Sequence, residues 1–160
     1  MFLAHLPSGF LATRFLQNKI KTDKYLIFGL VGSIAPDFDL IYFNLAKNYL
    51  GESFSHRQLI THTPFFWLVL LFFSFLQWRL FWFKKHSFIP YLFFCLTAIL
   101  HLILDTLVGK INWLFPLNRE YYGIGVASYP YFSFIILELI IIIPAIWIYV
   151  TESKKTTNST

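Results

Sequence analysis

The residues of this chain best suited to hold a metal ion are its five histidines and four aspartates. His101-Leu-Ile-Leu-Asp105 is an i, i+4 pair, so on a helix the imidazole and the carboxylate share one face and can reach a common ion. Asp37 and Asp39 are two apart, a spacing that diverges on a helix. After Pro36 an extended turn is expected instead, in which both coordinate or Asp39 caps the following helix and supports the ligands from behind. His56 and His62 flank the start of a further helix, and His5 stands near the first residue. His5, Asp37, His56, His62, His101 and Asp105 form a candidate ligand set that suits zinc or a similar divalent ion. Their number allows one or two ions, and a pair about 3.5–4 Å apart can activate a water and stabilise both oxygens of a displacement.

Each of these residues has an ordinary reading as well. A lone interfacial His5, a turn or cap role for Asp37 or Asp39, and a solvated loop position for His86 need no metal. His101 and Asp105 are harder to dismiss, because both fall inside an apolar segment where ionisable groups are costly. Glu138 also lies within an apolar segment, at a depth similar to that of His101. It is a candidate ligand, second-sphere partner or general base, and equally a protonated structural glutamate. Arg57, Lys110 and Arg119 are candidates for binding an anionic substrate group, or else face lipid headgroups.

The elements that must position these groups follow from composition. Of 160 residues, 57% are hydrophobic, 21% aromatic and only 13% charged, with a mean hydropathy of +0.60. About a quarter of the residues in a soluble domain are charged, so an ordinary soluble enzyme, a disordered chain and a disulfide scaffold are all excluded. Cys95 is the single cysteine and allows no internal disulfide. The net charge of +5 is explained by topology and implies no nucleic-acid partner.

Three segments, Pro64–Phe83, Phe88–Val108 and Tyr131–Val150, are long enough to span about 30 Å of hydrocarbon. Two shorter apolar stretches, Phe2–Gln17 and Tyr25–Pro36, precede them, with Thr22 and Asp23 as caps and Pro36 as the stop of the second. Thr63-Pro64 reads as a helix start, and Pro144 falls within the last span. Met1–Leu11 lacks the basic region of a cleavable signal peptide. The expected architecture is all-α: a multi-pass integral membrane helical bundle over residues 1–150, with a polar tail, frayed after Val150, over 151–160.

Lysine and arginine set the orientation. If every segment crosses, Arg14, Lys19, Lys21, Lys24, Arg79, Lys84, Lys85, Lys154 and Lys155 share one side, which is then cytoplasmic. Lys47, Arg57, Lys110 and Arg119 lie on the other. Seven of the nine His and Asp residues gather at that opposite, extracytoplasmic face, the exceptions being Asp23 and His86.

Gly32-Ser-Ile-Ala-Pro-Asp-Phe-Asp39, Ser55-His-Arg57, Thr61-His-Thr63, His101-x-x-x-Asp105 and the N-terminal His5, in this order, resemble the YdjM-type family of membrane-bound metal-dependent hydrolases. The resemblance covers residues 1 to about 120. It implies a helical fold and a hydrolytic reaction, with distant similarity to zinc-dependent phospholipase C. Of the two ligand helices in that pattern, HxxxD matches His101 and Asp105, whereas HxxxE survives only as Phe134-x-x-x-Glu138 without its histidine. That departure favours one or two metals over three.

The expected function is therefore a metal-dependent hydrolase of the inner membrane, cleaving a lipid or lipid-linked phosphoester with metal-activated water. Glu138 and Asp39 are its candidate catalytic residues. The bilayer is the expected partner, with a phospholipid or lipid-linked molecule as the substrate. The alternatives are a transporter relaying ions through intramembrane His, Asp and Glu, haem ligation by His62 and His101, and a non-catalytic protein with a structural metal.

Overall fold

Helices account for most of the computed structural model, which describes residues 3–50, 59–80, 85–125 and 131–157. The elements are α1 (His5–Ile20), α2 (Leu26–Ile34), α3 (Asp39–Leu50), α4 (Pro64–Leu80), α5 (Lys85–Val108) and α6 (Tyr131–Thr157). Single 3-10 turns stand at Ala35–Phe38 and Ile60–His62. Among the described residues there is no strand, only one bridge between Ile111 and Tyr122 in the loop after α5.

Three helical runs are long and apolar enough to cross a membrane: Leu26–Tyr49, Phe88–Val108 and Ile135–Lys154. In the first, α2 ends at Ile34, just ahead of Pro36 as expected, but the break is a single 3-10 turn and not the end of the apolar helical run. Pro36 sits in the first turn of a 3-10 segment, where its missing N–H costs nothing, and the chain continues directly into α3. The second N-terminal segment is thus not a short one, and Asp37 and Asp39 lie on a tight turn rather than an extended one. The described part of α4 spans 17 residues. Ile140, Ile143, Ile146 and Trp147 leave one side of α6 exposed and apolar, a surface suited to lipid.

The bundle is tied together where small residues let helices approach closely. On Gly29, a Cβ would overlap the Thr13 side chain of α1, and on Gly32 it would overlap the backbone carbonyl of Phe94 on α5. A buried layer of Ala35, Trp67, Ala98, Leu102 and Ile111 fills the space between α2, α4, α5 and the following loop. On the other flank, Ala4, Leu104 and Val108 pack against Leu137 and Ile141 of α6.

The two ends of the bundle differ. Where α1 turns into α2, Thr22 and Asp23 do not cap the helix as expected. Tyr25 takes the capping position at φ 74°, while Thr22 Oγ1 accepts the Lys24 N–H and Asp23 approaches Arg14. Arg14 also pairs with Glu152 at 2.8 Å, and the Thr151 hydroxyl donates to the Trp147 carbonyl. These contacts keep α6 helical through Thr157 rather than frayed after Val150. The opposite end of the bundle holds the N-terminus of α1, the α2–α3 turn, the start of α4 and the C-terminal turns of α5.

Candidate metal centre

Five of the six sequence-predicted ligands meet at that opposite end: His5 on α1, Asp37 in the α2–α3 turn, His62 ahead of α4, and His101 with Asp105 on α5. His56 and Arg57 lie outside the described residues. His62 and His101 are fully buried, and the His5 and Asp105 side chains are only 4% exposed. Asp37, at 17%, is the most accessible of the five.

Both buried imidazoles are held by their Nδ1 atoms and turn Nε2 to the same place. His62 Nδ1 lies 2.8 Å from Asp39 Oδ2, and the Thr61 hydroxyl donates to that same carboxylate oxygen. His101 Nδ1 donates to the Ser33 carbonyl at 2.8 Å, across the close contact that Gly32 permits between α2 and α5. Such bonds fix the tautomer and ring plane of a metal-ligating histidine. Asp39 therefore supports His62 rather than joining the inner set. Asp37 in the 3-10 turn and Asp39 at the first residue of α3 address the two nitrogens of one ring.

Asp37 Oδ1 is 3.7 Å from His62 Nε2 and 3.6 Å from His101 Nε2. Asp105 Oδ2 is 3.8 Å and 3.9 Å from the same two atoms. A tetrahedral zinc with bonds of about 2.0–2.1 Å spaces its ligand atoms about 3.3 Å apart. Each of these four nitrogen–oxygen distances exceeds that spacing by only a few tenths of an ångström. The donor set, two neutral nitrogens and two carboxylates, suits zinc or a neighbouring divalent ion.

A second trio, His5, His101 and Asp105, overlaps the first. His5 Nε2 lies 3.3 Å from Asp105 Oδ1, and its ring stacks on that of His101 at 3.7 Å. His101 has already committed Nδ1 to Ser33, so its Nε2 can serve one ion at a time. Among the described residues the arrangement thus offers two overlapping trios, Asp37–His62–His101 and His5–His101–Asp105, that share His101.

Burial disfavours the His62 imidazolium, but the carboxylates of Asp37 and Asp39 and the charge of Asp105 outweigh it and push its pKa up to about 9. Metal uptake therefore has to displace a proton from His62.

The model of the YdjM inner membrane protein family matches residues 1–159. The chain belongs to that family. The match extends the resemblance, expected to about residue 120, through α6. No curated protein and no solved structure matches the chain. In this YdjM-family protein, membrane character and a His/Asp cluster able to hold an ion stand together.

Glu138 is placed near the centre but not in it. It is 8% exposed on α6, between Leu137 and Ile141, which pack beside Ala4 and Leu104, the chain neighbours of His5 and Asp105. Its Oε1 has no hydrogen-bond partner among the described residues. Lys110 and Arg119 are exposed on the loop after α5, at the same end of the bundle. Sequence reasoning missed the Ser33 carbonyl, which no side-chain pattern reveals, and the buried Asn112. Thr61 stood in the Thr-His-Thr motif without a role.

Proposed function

We propose that this protein is a metal-dependent hydrolase of the inner membrane that cleaves a phosphoester of a lipid or lipid-linked molecule. The observation that carries this reading is the convergence of Asp37, His62 and His101, with Asp105 within 4 Å of both imidazoles and each ring anchored from behind. A bound divalent ion would supply water activation and charge neutralisation at the phosphoryl oxygens. His62 and His101 would hold it through Nε2, and Asp37 and Asp105 through one oxygen each. Asp39 and Ser33 keep the rings aimed, and burial behind Trp67 and Leu102 shields that flank from water. Asp37, the most accessible carboxylate, marks the side from which substrate and water arrive.

The basic residues Arg14, Lys19, Lys21, Lys24 and Lys154 lie at the end away from the cluster. That distribution supports a cytoplasmic assignment for their end and an extracytoplasmic site. Lys110 and Arg119 then stand at headgroup level, with Arg57 as a further candidate. Among the described residues Glu138 makes no hydrogen bond or ion pair with a donor and enters as a neighbour, with a base role open to test.

A second reading, a non-catalytic protein with a structural metal, is favoured by one specific observation. Asp105, within 4 Å of both imidazoles, would bring the Asp37, His62 and His101 trio to four protein donors, enough to close a tetrahedron, whereas catalytic zinc keeps a position open. Hydrolysis of bis(p-nitrophenyl) phosphate and of a short-chain phospholipid by the detergent-purified protein separates the two. Hydrolysis abolished by chelation, restored by zinc and absent in His62→Ala supports the enzyme. A zinc-loaded protein that melts earlier on chelation but turns over neither substrate supports the structural role.

A further inference from the structure

A cavity of about 360 Å³ opens beside the cluster, between the Ile60–His62 turn and the loop after α5. Ile60, Thr63, Asn112, Phe115, Arg119 and Tyr121 line it. It shares with the metal centre the short turn that carries His62, so one wall of the cavity is continuous with a donor residue. Two polar groups of its lining are placed to meet a ligand. Asn112 is only 5% exposed, yet its Oδ1 has no hydrogen-bond partner among the described residues. A buried side-chain amide is normally satisfied, so an unsatisfied one on a cavity wall points to a ligand or water that completes it. Arg119 is exposed at the cavity, where its fork of N–H donors suits a phosphate. Phe115 and Tyr121 add aromatic wall to the same cavity.

We propose that this cavity is the substrate's polar subsite, binding a phosphate ester whose alcohol carries its own hydroxyl or amine. Arg119 takes the phosphate, and the Asn112 amide takes the hydroxyl or amine. The proposal rests on the hydrolase reading for the word substrate and deepens it by naming a class: phosphodiesters and monoesters of glycerol- or ethanolamine-like alcohols. Choline-like esters, which have no hydrogen to donate, bind less well. The same chemistry occurs in a lipid headgroup and in a free phosphate ester. Asn112 and Arg119 act as specificity-determining residues, distinct from the metal donors.

The test is binding rather than turnover. Purified protein, stripped of metal with chelator so that no anion can sit on an ion, is titrated with glycerol phosphate and with inorganic phosphate. Glycerol phosphate is expected to bind at least tenfold more tightly. Arg119→Gln should weaken both ligands about tenfold, while Asn112→Leu should abolish the preference and leave inorganic phosphate unchanged. Zinc content of the two variants, measured after reloading, should equal that of the unsubstituted chain and shows that they fold. A parallel titration with dihexanoyl phosphatidylglycerol and dihexanoyl phosphatidylcholine separates the sources. Tighter binding of the former than of glycerol phosphate assigns a lipid headgroup, and no gain from the tails assigns a free ester; either outcome supports the subsite. Equal affinity for glycerol phosphate and inorganic phosphate, or affinities indifferent to both substitutions, overturns it. Loss of zinc in Asn112→Leu also overturns it, by making Asn112 a support of the metal centre. Retained binding without any turnover would retire the hydrolase reading and leave the subsite standing.

Discussion

Gly32→Ala should weaken the metal centre without touching a metal donor. At Gly32 a Cβ would stand 2.8 Å from the carbonyl carbon of Phe94, and nearer still to its oxygen, where ordinary contact begins at 3.4 Å. Helix α2 must therefore retreat from α5 by about 0.6 Å or more, since a backbone carbonyl cannot rotate away. The neighbouring Ser33 carbonyl moves with it, so its 2.8 Å bond to His101 Nδ1 stretches to about 3.4 Å, the edge of hydrogen bonding. Overpacking costs about 1–3 kcal/mol of stability. Loss of a second-sphere bond to a ligating histidine lowers metal affinity by about 10–100-fold. Competition for zinc against a chromophoric chelator reads that affinity directly. Gly29→Ala is the control, because the atoms its Cβ meets first all belong to Thr13 on α1. It should cost comparable thermal stability and leave zinc affinity within about twofold. Equal zinc affinities in Gly32→Ala and the unsubstituted chain would refute the reasoning, as would equal losses in both variants.

Further outcomes follow from the same geometry. Asp39→Asn leaves His62 without its carboxylate partner and should weaken zinc binding by about 10–100-fold at unchanged stoichiometry, measured in the same competition assay. Metal-free His62 keeps its proton up to about pH 9, so zinc uptake near neutral pH expels it. Through this group zinc affinity should therefore rise about tenfold per pH unit and flatten above pH 9; titration calorimetry in buffers of different ionisation enthalpy counts the proton, and none released would contradict the assignment. Glu138→Gln should retain full zinc content, because among the described residues Glu138 makes no hydrogen bond or ion pair with a donor. A loss of zinc would make it a ligand, whereas a loss of hydrolysis alone would make it the base.

The helical, membrane-embedded character was legible from composition, because 13% charged residues cannot cover a soluble surface. The site was legible for a related reason. His101 and Asp105 bear a cost in an apolar helix that only partners or an ion can offset, so rarity itself marked them. What the sequence hid was backbone. Pro36 reads as a helix stop, yet a proline in the first turn of a 3-10 segment displaces no hydrogen bond and the helix runs on to Tyr49. The roles of Asp37 and Asp39 then depended on that turn, which sends one carboxylate to each nitrogen of His62. The Ser33 carbonyl was invisible, because its position comes from the packing of Gly32 on Phe94 rather than from any side chain of its own. Asn112 was overlooked because an asparagine in a loop is ordinary until its burial is known.

The most direct test of the metal centre is metal content per chain. Protein purified in detergent, loaded with zinc and desalted, should hold about one zinc per chain by inductively coupled plasma mass spectrometry. His101→Ala and Asp37→Asn should each fall well below half of that while eluting as the unsubstituted chain does. A chain that retains no zinc after loading, or variants that hold as much as the unsubstituted chain, would contradict the account.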